Sequence, residues 1–230
     1  MSSPRARIAI VDYGLGNLYS IARACERVDL EVSISTNAKE LANADAVVLP
    51  GVGAFGDAME NLHRQDLVGP LREIAFTGKP FFGICLGMQL LMTESEEFGA
   101  HRGLGIIPGR VVNFGSPQGP RGALKVPHVG WNRIETPRDN FDWNDTPLRG
   151  IAPGTYFYFV HSYCVVPDDP SVTLSETTYG DRRFCSAIQQ DNVIAFQYHP
   201  ERSGTDGNTV YDNIAAMIEK TQQEVRKNVA

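Results

Sequence analysis

Short apolar runs alternate with segments of helical spacing over the first half of the chain. Residues 7–12 form a β-branched run that ends at a glycine-rich turn, which is typical of a buried strand. The following apolar positions fall on one face of a helix, at Leu18, Ile21, Ala22, Cys25 and Val28. Further strands are predicted over Glu31–Ser35, Ala46–Leu49 and residues 80–84, and further helices near Lys39 and over residues 67–77. This order predicts an α/β fold, with helices on both faces of a mostly parallel sheet.

The second half of the chain has a different pattern. Two stretches rich in Pro, Gly and Asp, residues 115–122 and 136–150, predict surface loops. Strand candidates lie close together at residues 155–160, 164–166, 172–178, 184–189 and 193–197, which predicts antiparallel hairpins. A last amphipathic helix uses Val210, Ile214, Met217 and Ile218. Without an internal repeat or a long linker, residues 1–230 are predicted to form a single domain.

Composition narrows the classes of function and partner. The 230 residues carry a net charge of -6, with 42% hydrophobic residues. Because the acidic residues are spread along the chain, there is no electrostatic reason to bind nucleic acid or an anionic membrane. The apolar runs are shorter than the roughly 18 residues of a membrane span, and the run near the N-terminus is too short for a signal peptide. The sequence therefore predicts a cytoplasmic protein with neither a nucleic-acid nor a membrane partner.

The four cysteines have no zinc-ligand spacing, so no metal site is predicted. Cys25, Cys164 and Cys185 lie among apolar or strand-like residues and are predicted to be buried free thiols. Residues 14–19 imitate a dinucleotide fingerprint, but Tyr19 occupies the position of the third glycine. No cofactor is expected.

Cys85 differs from the other cysteines because it lies in a G-x-C-x-G pattern, residues 83–87, between an apolar strand and a helical run. This is the thiol form of the nucleophile elbow, in which a sharp strand-to-helix turn exposes the nucleophile. The helix N-terminus favours the thiolate, and the amide of Leu86 points to where an oxyanion would form. The alternative is an inert buried thiol.

A thiol nucleophile needs a base, and His199 is the best placed of the five histidines. It follows the apolar strand at residues 193–197 and begins a His-Pro-Glu sequence. A residue before proline is held extended, and residues two apart in an extended segment point the same way, so Glu201 is predicted to reach the imidazole. Alone, this motif could be a surface loop. Together with Cys85, at the end of another strand, it predicts a Cys-His-Glu triad at the edge of an open α/β sheet.

Neither of two other histidines is expected to take part: His63 lies in a polar helical stretch and His101 in a loop, and both are predicted to be solvated. A second glycine-rich segment, residues 50–53, follows the strand Ala46–Leu49. Glycines there permit unusual peptide orientations, so the amide of Val52 is a candidate second oxyanion donor. The alternative is a plain strand-ending turn. Trp131 and residues 156–160 are predicted to belong to the core.

These motifs resemble those of a known family. The segments at residues 83–89, 50–53 and 199–201 are similar to those of the class I (triad) glutamine amidotransferases. The segments at residues 12–17, 127–132, 158–163 and 199–203 further resemble the glutaminase subunits of imidazole glycerol phosphate synthase. The resemblance implies a flavodoxin-like fold and hydrolysis of glutamine, with Cys85 as nucleophile, His199 and Glu201 as its partners, and the amides of Val52 and Leu86 as oxyanion hole.

The resemblance also implies residues that hold the amino-acid end of glutamine: Gly53, Gln89, Glu97, His161, Ser162 and Tyr163. Members of the family pass ammonia to a separate (β/α)8 cyclase in histidine biosynthesis, where the combined reaction is of the lyase type. Asn17, Trp131 and Arg202 match positions that face the cyclase. Arg202 stands where other members carry lysine, which keeps the charge but changes the hydrogen-bond geometry.

Two alternatives to this function remain open from the sequence. One is a glutaminase subunit that serves a different synthase, against which the segment Pro-His-Val-Gly-Trp at residues 127–131 argues. The other is a catalytically silent subunit that only docks, against which the intact set of Cys85, His199 and Glu201 argues.

Overall fold

The computed structural model describes residues 5–229, with side chains through residue 227. Residues 1–4 and 230 of the predicted single domain lie outside the described residues. The helices are α1 (Leu18–Arg27), α2 (Ala38–Asn43), α3 (Phe55–Arg64), α4 (Val68–Ala75), α5 (Leu86–Leu90) and α6 (Gly204–Val229). The strands are β1 (Arg7–Val11), β2 (Glu31–Ser35), β3 (Ala46–Leu49), β4 (Phe81–Ile84), β5 (Glu94–Ser95), β6 (His101–Arg102), β7 (Gly109–Asn113), β8 (Gln118–Gly119), β9 (Gly122–Ala123), β10 (His128–Arg133), β11 (Tyr156–His161), β12 (Tyr163–Pro167), β13 (Thr173–Tyr179), β14 (Arg182–Gln190) and β15 (Val193–Phe196).

Eleven strands form one mixed sheet. Its path runs β2-β1-β3-β4-β15-β14-β12-β7-β5-β6, and β13 pairs with β14. The first five strands along this path are parallel, whereas β14 is antiparallel to β15 and to β12, and β12 is antiparallel to β7. Two small two-stranded sheets, β10 with β11 and β8 with β9, lie outside the main sheet. The predicted mostly parallel sheet with some antiparallel pairing in the second half of the chain is confirmed.

The parallel strands are apolar on both faces because helices cover both. Alternate residues of each strand enter two separate apolar layers. One layer contains Ile8, Ile10, Val48, Phe82, Ile194 and Phe196, together with the inner faces of α1 and α6. The other contains Ala9, Val11, Val47, Phe81, Val193 and Ala195, together with α2, α3, α4 and α5. A half-exposed strand alternates apolar and polar residues. Because these strands are buried on both faces, they are continuous apolar runs and can be predicted as strands from the sequence.

Two predictions about exposure are wrong. Residues 136–150, predicted as a surface loop, contribute Trp143 and Leu148 to the core, and the Trp143 indole donates a hydrogen bond to Leu174 O at 2.8 Å. Trp131 and Tyr156, predicted as core, are 54% and 45% exposed. Because β10 and β11 form a separate two-stranded sheet with one outward face, their outward-pointing residues stay in solvent although they are aromatic.

Of two histidines outside the site, one lies as predicted. His63 is exposed near the end of α3, as expected for a solvated residue of a polar helical stretch. His101 lies in the short strand β6 rather than in a loop, half-buried against Gly56. Of the helices described, none has the length and apolar character to cross a membrane. Within residues 5–229 no group of three or more His, Cys, Asp or Glu side chains is arranged to hold a metal ion.

Candidate active site

The carboxyl ends of β4 and β15 bring Cys85 and His199 to the same edge of the sheet. The two strands are parallel neighbours in which Ile84 pairs with Phe196. The chain stays paired one residue further, since the Cys85 amide donates to Phe196 O at 2.7 Å. Cys85 follows β4 directly, and His199 follows β15 by three residues. The candidate nucleophile and base are therefore positioned by adjacent strands of the rigid centre of the sheet.

The backbone at Cys85 has the strained geometry of a nucleophile elbow. Cys85 has φ 56° and ψ -110°, in a region that residues with a side chain rarely adopt. The flanking glycines are required by close approach: a Cβ at Gly87 would overlap Leu49 O, and one at Gly83 would lie 2.9 Å from the Ala195 Cβ. Helix α5 can begin directly after the nucleophile only because these two positions lack side chains.

His199 and Glu201 form a buried pair. The His199 Nδ1 lies 2.7 Å from Glu201 Oε1, and their side chains are 4% and 0% exposed. His199 itself is extended, as predicted for a residue before proline. Pro200–Arg202, however, forms a 3₁₀ turn, so the turn brings the carboxylate back to the imidazole, and the predicted extended geometry at Glu201 is wrong.

Electrostatics at this pair favour a protonated imidazole. Burial alone would lower the pKa of His199, but Cys85 and Glu201 together outweigh burial and raise that pKa to about 10. Since the carboxylate accepts a hydrogen bond, it fixes the proton on Nδ1 and leaves Nε2 as the second working nitrogen. Nε2 is buried and has no hydrogen-bond partner among the described residues. With Nδ1 held by Glu201, the imidazole can take the thiol proton on Nε2 and keep it, which is the imidazolium–thiolate arrangement of an activated cysteine.

The sulfur of Cys85 has two polar neighbours from other elements. Its thiol donates to Val160 O in β11 at 3.8 Å, and the side-chain amide of Gln197 lies 3.7 Å from Sγ. Gln197 was not predicted as a site residue. The sequence signal is only its place directly after the apolar strand β15; its complete burial, which obliges the amide to find partners, is visible in the structure alone.

The two candidate oxyanion donors lie in segments that touch each other. Leu86 is the first residue of α5, so its amide has no acceptor within the helix. Residues 50–53 lie against this point, because a Cβ at Gly51 would come within 2.8 Å of the Leu86 Cβ. Gly53 has φ +103°, which permits the sharp turn, and Val52 is 40% exposed.

The residues assigned to substrate holding lie in three places. Gln89, in α5, donates a hydrogen bond to Tyr163 O at 3.1 Å, which ties α5 to β12. The Glu97 carboxylate accepts from the amide of Phe55 at 2.6 Å, which sets it beside the end of the glycine-rich loop. Ser162 lies between β11 and β12, and its carbonyl accepts from Phe114 N.

His161 is placed differently from a ligand-binding side chain. Its Nδ1 lies 2.8 Å from Tyr163 O and its Nε2 lies 3.1 Å from His128 Nδ1. Burial lowers the pKa of His161 to about 3 and that of His128 to about 4, so both rings are neutral at pH 7. Both nitrogens of His161 are occupied by protein atoms, and the ring has no free hydrogen-bonding atom for a substrate.

Two of the three candidate partner-facing residues share one exposed face. Trp131 in β10 packs its ring 6.3 Å from that of Tyr158, its cross-strand partner in β11. The guanidinium of Arg202 lies 4.6 Å from the centre of the same Tyr158 ring. Asn17 directly precedes α1, which packs against the 3₁₀ turn that carries Arg202.

Comparison with known proteins agrees with this geometry. A family model for "Glutamine amidotransferase class-I" matches residues 9–216. The chain is 47% identical over 215 residues to the imidazole glycerol phosphate synthase subunit HisH of Aquifex aeolicus (strain VF5), covering 93% of this chain and 98% of that protein. The chain belongs to the HisH family of class-I glutamine amidotransferases. A second HisH subunit, from Syntrophotalea carbinolica, is 48% identical over 212 residues, with coverage of 91% and 100%.

Solved structures share the fold of this class-I glutamine amidotransferase. PurLQS from Thermotoga maritima aligns with a TM-score of 0.70 at 20% identity, covering 94% of this chain and 100% of that chain. The glutaminase domain of Trypanosoma brucei CTPS aligns with a TM-score of 0.64 at 18% identity, covering 94% of both chains. The predicted family and fold class are therefore confirmed.

Proposed function

We propose that this chain is the glutaminase subunit of an imidazole glycerol phosphate synthase, which hydrolyses glutamine to glutamate and ammonia. The observation that carries the proposal is that Cys85 and the buried His199–Glu201 pair follow the carboxyl ends of adjacent parallel strands. The reaction needs only glutamine and water, so the chain's own side chains supply the chemistry without a cofactor or metal.

The first half-reaction forms a thioester. The sulfur of Cys85, having given its proton to His199, attacks the carboxamide carbon of glutamine. The oxyanion that forms lies between the amides of Val52 and Leu86, whose segments contact each other through Gly51. His199 then protonates the departing nitrogen, and ammonia leaves as the carbon–nitrogen bond breaks.

The second half-reaction regenerates the enzyme. Neutral His199 takes a proton from water, whose oxygen attacks the thioester carbon, and the carbon–sulfur bond breaks to give glutamate. Glu201 keeps the imidazole in one orientation through both halves and stabilises its protonated form, in keeping with the raised pKa of His199.

Glutamine is held at its amino-acid end by the residues that surround the nucleophile. Gly53, Gln89, Glu97, Ser162 and Tyr163 take this role. The ring of His161 contributes through the carbonyl of Tyr163, because both of its nitrogens have protein partners. Glu97 supplies a buried carboxylate next to the glycine-rich loop, suited to an ammonium group.

Ammonia passes to a cyclase subunit with a (β/α)8 barrel, which docks on the face that carries Trp131 and Arg202, with Asn17 beside it. The exposed aromatic rings of β10 and β11 support this docking, because aromatic residues and arginine dominate the centres of protein interfaces. The face lies next to the site, since Val160 O of β11 contacts the Cys85 sulfur. Direct transfer keeps ammonia from becoming protonated in water. We expect the complex to act in the cytoplasm.

Glutamate release tests this function. We expect slow release by the chain alone and faster release when it is mixed with a cyclase subunit loaded with its nucleotide substrate. No increase with this cyclase, but an increase with a different synthase chain, would assign the subunit to another amidotransferase. Absence of glutamate release in every mixture would leave a docking subunit without catalysis.

A further inference from the structure

Gln197 is a fully buried polar side chain at the catalytic edge of the sheet. It follows β15 directly, and its backbone amide donates to Ser186 O at 2.9 Å, which continues the antiparallel pairing with β14. Its side chain is 0% exposed and points toward the nucleophile elbow. Burying a primary amide costs free energy unless its oxygen and nitrogen both have hydrogen-bond partners. The partners of Gln197 therefore determine which way its amide points.

Gln89 fixes the orientation of that amide. The Gln89 Nε2 lies 3.1 Å from Tyr163 O and 3.0 Å from Gln197 Oε1. Since a backbone carbonyl only accepts hydrogen bonds, the Gln89 atom must be the NH₂ group, and its second proton must meet an oxygen of Gln197. The remaining NH₂ group of Gln197 is thereby directed at Cys85 Sγ, at 3.7 Å.

The carbonyl of Tyr163 is itself held by a chain of neutral groups. His161 Nδ1 donates to it, His128 Nδ1 donates to His161 Nε2, and the amide of Asn132 lies 3.3 Å from His128 Nε2. Because both rings are buried and neutral, each has one donor and one acceptor nitrogen, and every bond in this chain has a single possible direction. The donor presented to the sulfur is therefore set by the carbonyl of Tyr163 and by Gln89, and the two histidines help to hold that carbonyl in place.

We propose that Gln197 is a positioning residue for the nucleophile, whose side-chain NH₂ donates a hydrogen bond to the sulfur of Cys85 and favours its anionic form. The role rests on the proposed function, in which this sulfur attacks glutamine. Of the two polar neighbours of Sγ, Val160 O can only accept a proton from the thiol, whereas Gln197 can donate to the thiolate. The titratable groups that face the sulfur are His199 and Tyr13. Burial and the nearby Cys85 raise the pKa of Tyr13, so its hydroxyl stays neutral.

The test is the pH dependence of Cys85 alkylation by iodoacetamide, followed by mass spectrometry of the Cys85 peptide in the full chain without glutamine. Gln197→Met removes both polar atoms at similar size. We expect its alkylation at pH 7 to be about tenfold slower than in the unmodified chain and its rate profile to move to higher pH, because a hydrogen bond to an ion is lost. Gln89→Met, which keeps the donor but frees its orientation, is expected to give a smaller shift in the same direction.

Gln189→Met is the matched control, because it makes the same chemical change at a half-buried glutamine of β14 and is expected to leave the profile unchanged. Thermal unfolding of each variant shows whether the fold is kept, and Gln89→Met carries the test if Gln197→Met does not fold. Superimposable profiles for the unmodified chain and a folded Gln197→Met, or for Gln89→Met in its place, would overturn the proposed role of Gln197 while leaving the function intact. If Cys85 of the unmodified chain reacts no faster than Cys25, Cys164 and Cys185, the proposed function fails, and the role of Gln197 fails with it.

Discussion

His199 Nδ1 and Glu201 Oε1 lie 2.7 Å apart, with both side chains removed from solvent. A carboxylate in this place holds one imidazole tautomer and stabilises the charge that the ring acquires during proton transfer. It also raises the pKa of His199, acting together with Cys85 against the effect of burial. The pair thus links the geometry of the site to its acid–base chemistry.

Replacing this carboxylate by an amide is expected to slow glutamate release. Glu201→Gln keeps the size of the side chain but removes its charge, so we expect kcat to fall by about 100-fold or more while KM changes little. Initial rates of glutamate release in the cyclase complex measure both constants. Glu60→Gln, at an exposed position of α3, is the matched control. A Glu201→Gln variant with the kcat of the control would show that the pair has no catalytic role.

The close approach at Gly87 predicts a large loss of stability. A Cβ there would overlap the backbone oxygen of Leu49, which cannot move without breaking β3. We expect Gly87→Ala to lower the free energy of unfolding by about 3 kcal/mol. Gly69→Ala provides the comparison: nothing lies within 4 Å of its Cβ, and higher helix propensity should stabilise α4 by about 0.5 kcal/mol. Urea unfolding separates the two, and equal stabilities would contradict the packing at the elbow.

The buried histidine pair predicts acid sensitivity of a defined sign. Burial lowers the pKa of His128 to about 4, below the value near 6.5 of an unfolded histidine. Between these values the unfolded chain binds a proton that the folded chain does not, so the free energy of unfolding falls as pH falls from 6.5 to 4. The contribution of His128 is about 2 kcal/mol across this window.

His128→Phe removes this titration and keeps a ring between Phe159 and Tyr179, which stack against the imidazole. The variant is expected to lose less stability than the unmodified chain between pH 6.5 and 4, as measured by urea unfolding at each pH. His63→Phe, at an exposed position, is the control. If the His128→Phe and unmodified chains lose stability in parallel over this range, the buried neutral state of His128 is wrong.

The exposed face of β10 and β11 predicts where the cyclase binds. Trp131→Ala removes a ring that is 54% exposed, so we expect at least tenfold weaker binding to the cyclase with little change in thermal stability. Isothermal titration measures the affinity. Phe76→Ala removes a ring that is 68% exposed at the end of α4, before β4 and so at the opposite edge of the sheet, and should not alter binding. Equal affinities for the two variants would place the interface elsewhere.

The sequence predicts the parts of the fold that are buried on both sides. Strands β1, β3, β4 and β15 lie between two helical layers, so each is a continuous apolar run that can be recognised without knowledge of its neighbours. Strand β10 was not predicted, because its outward face carries Val129 and Trp131 and therefore lacks a polar alternation. The burial of Trp143 could not be predicted, because it is a single apolar residue within a polar stretch.

Some residues of the candidate site could also be predicted from the sequence, and others could not. Cys85 and His199 could be predicted because each follows an apolar strand and lies in a short motif whose local backbone geometry explains its role. Gln197 and His128 act through hydrogen bonds to residues far away in the chain, Gln89 and His161, and no spacing rule joins them. A buried polar network is fixed by tertiary contacts, so only the folded structure reveals which amide faces the sulfur.

Glutamate release by Cys85→Ala, compared with release by the unmodified chain in the presence of the nucleotide-loaded cyclase, decides whether the Cys85 sulfur is the nucleophile. The variant deletes a single sulfur atom at a buried position and leaves the partner-facing surface unchanged. We expect release by the unmodified complex and none above background by the variant, with cyclase binding retained. Release at the same rate in both complexes would contradict this role of the sulfur.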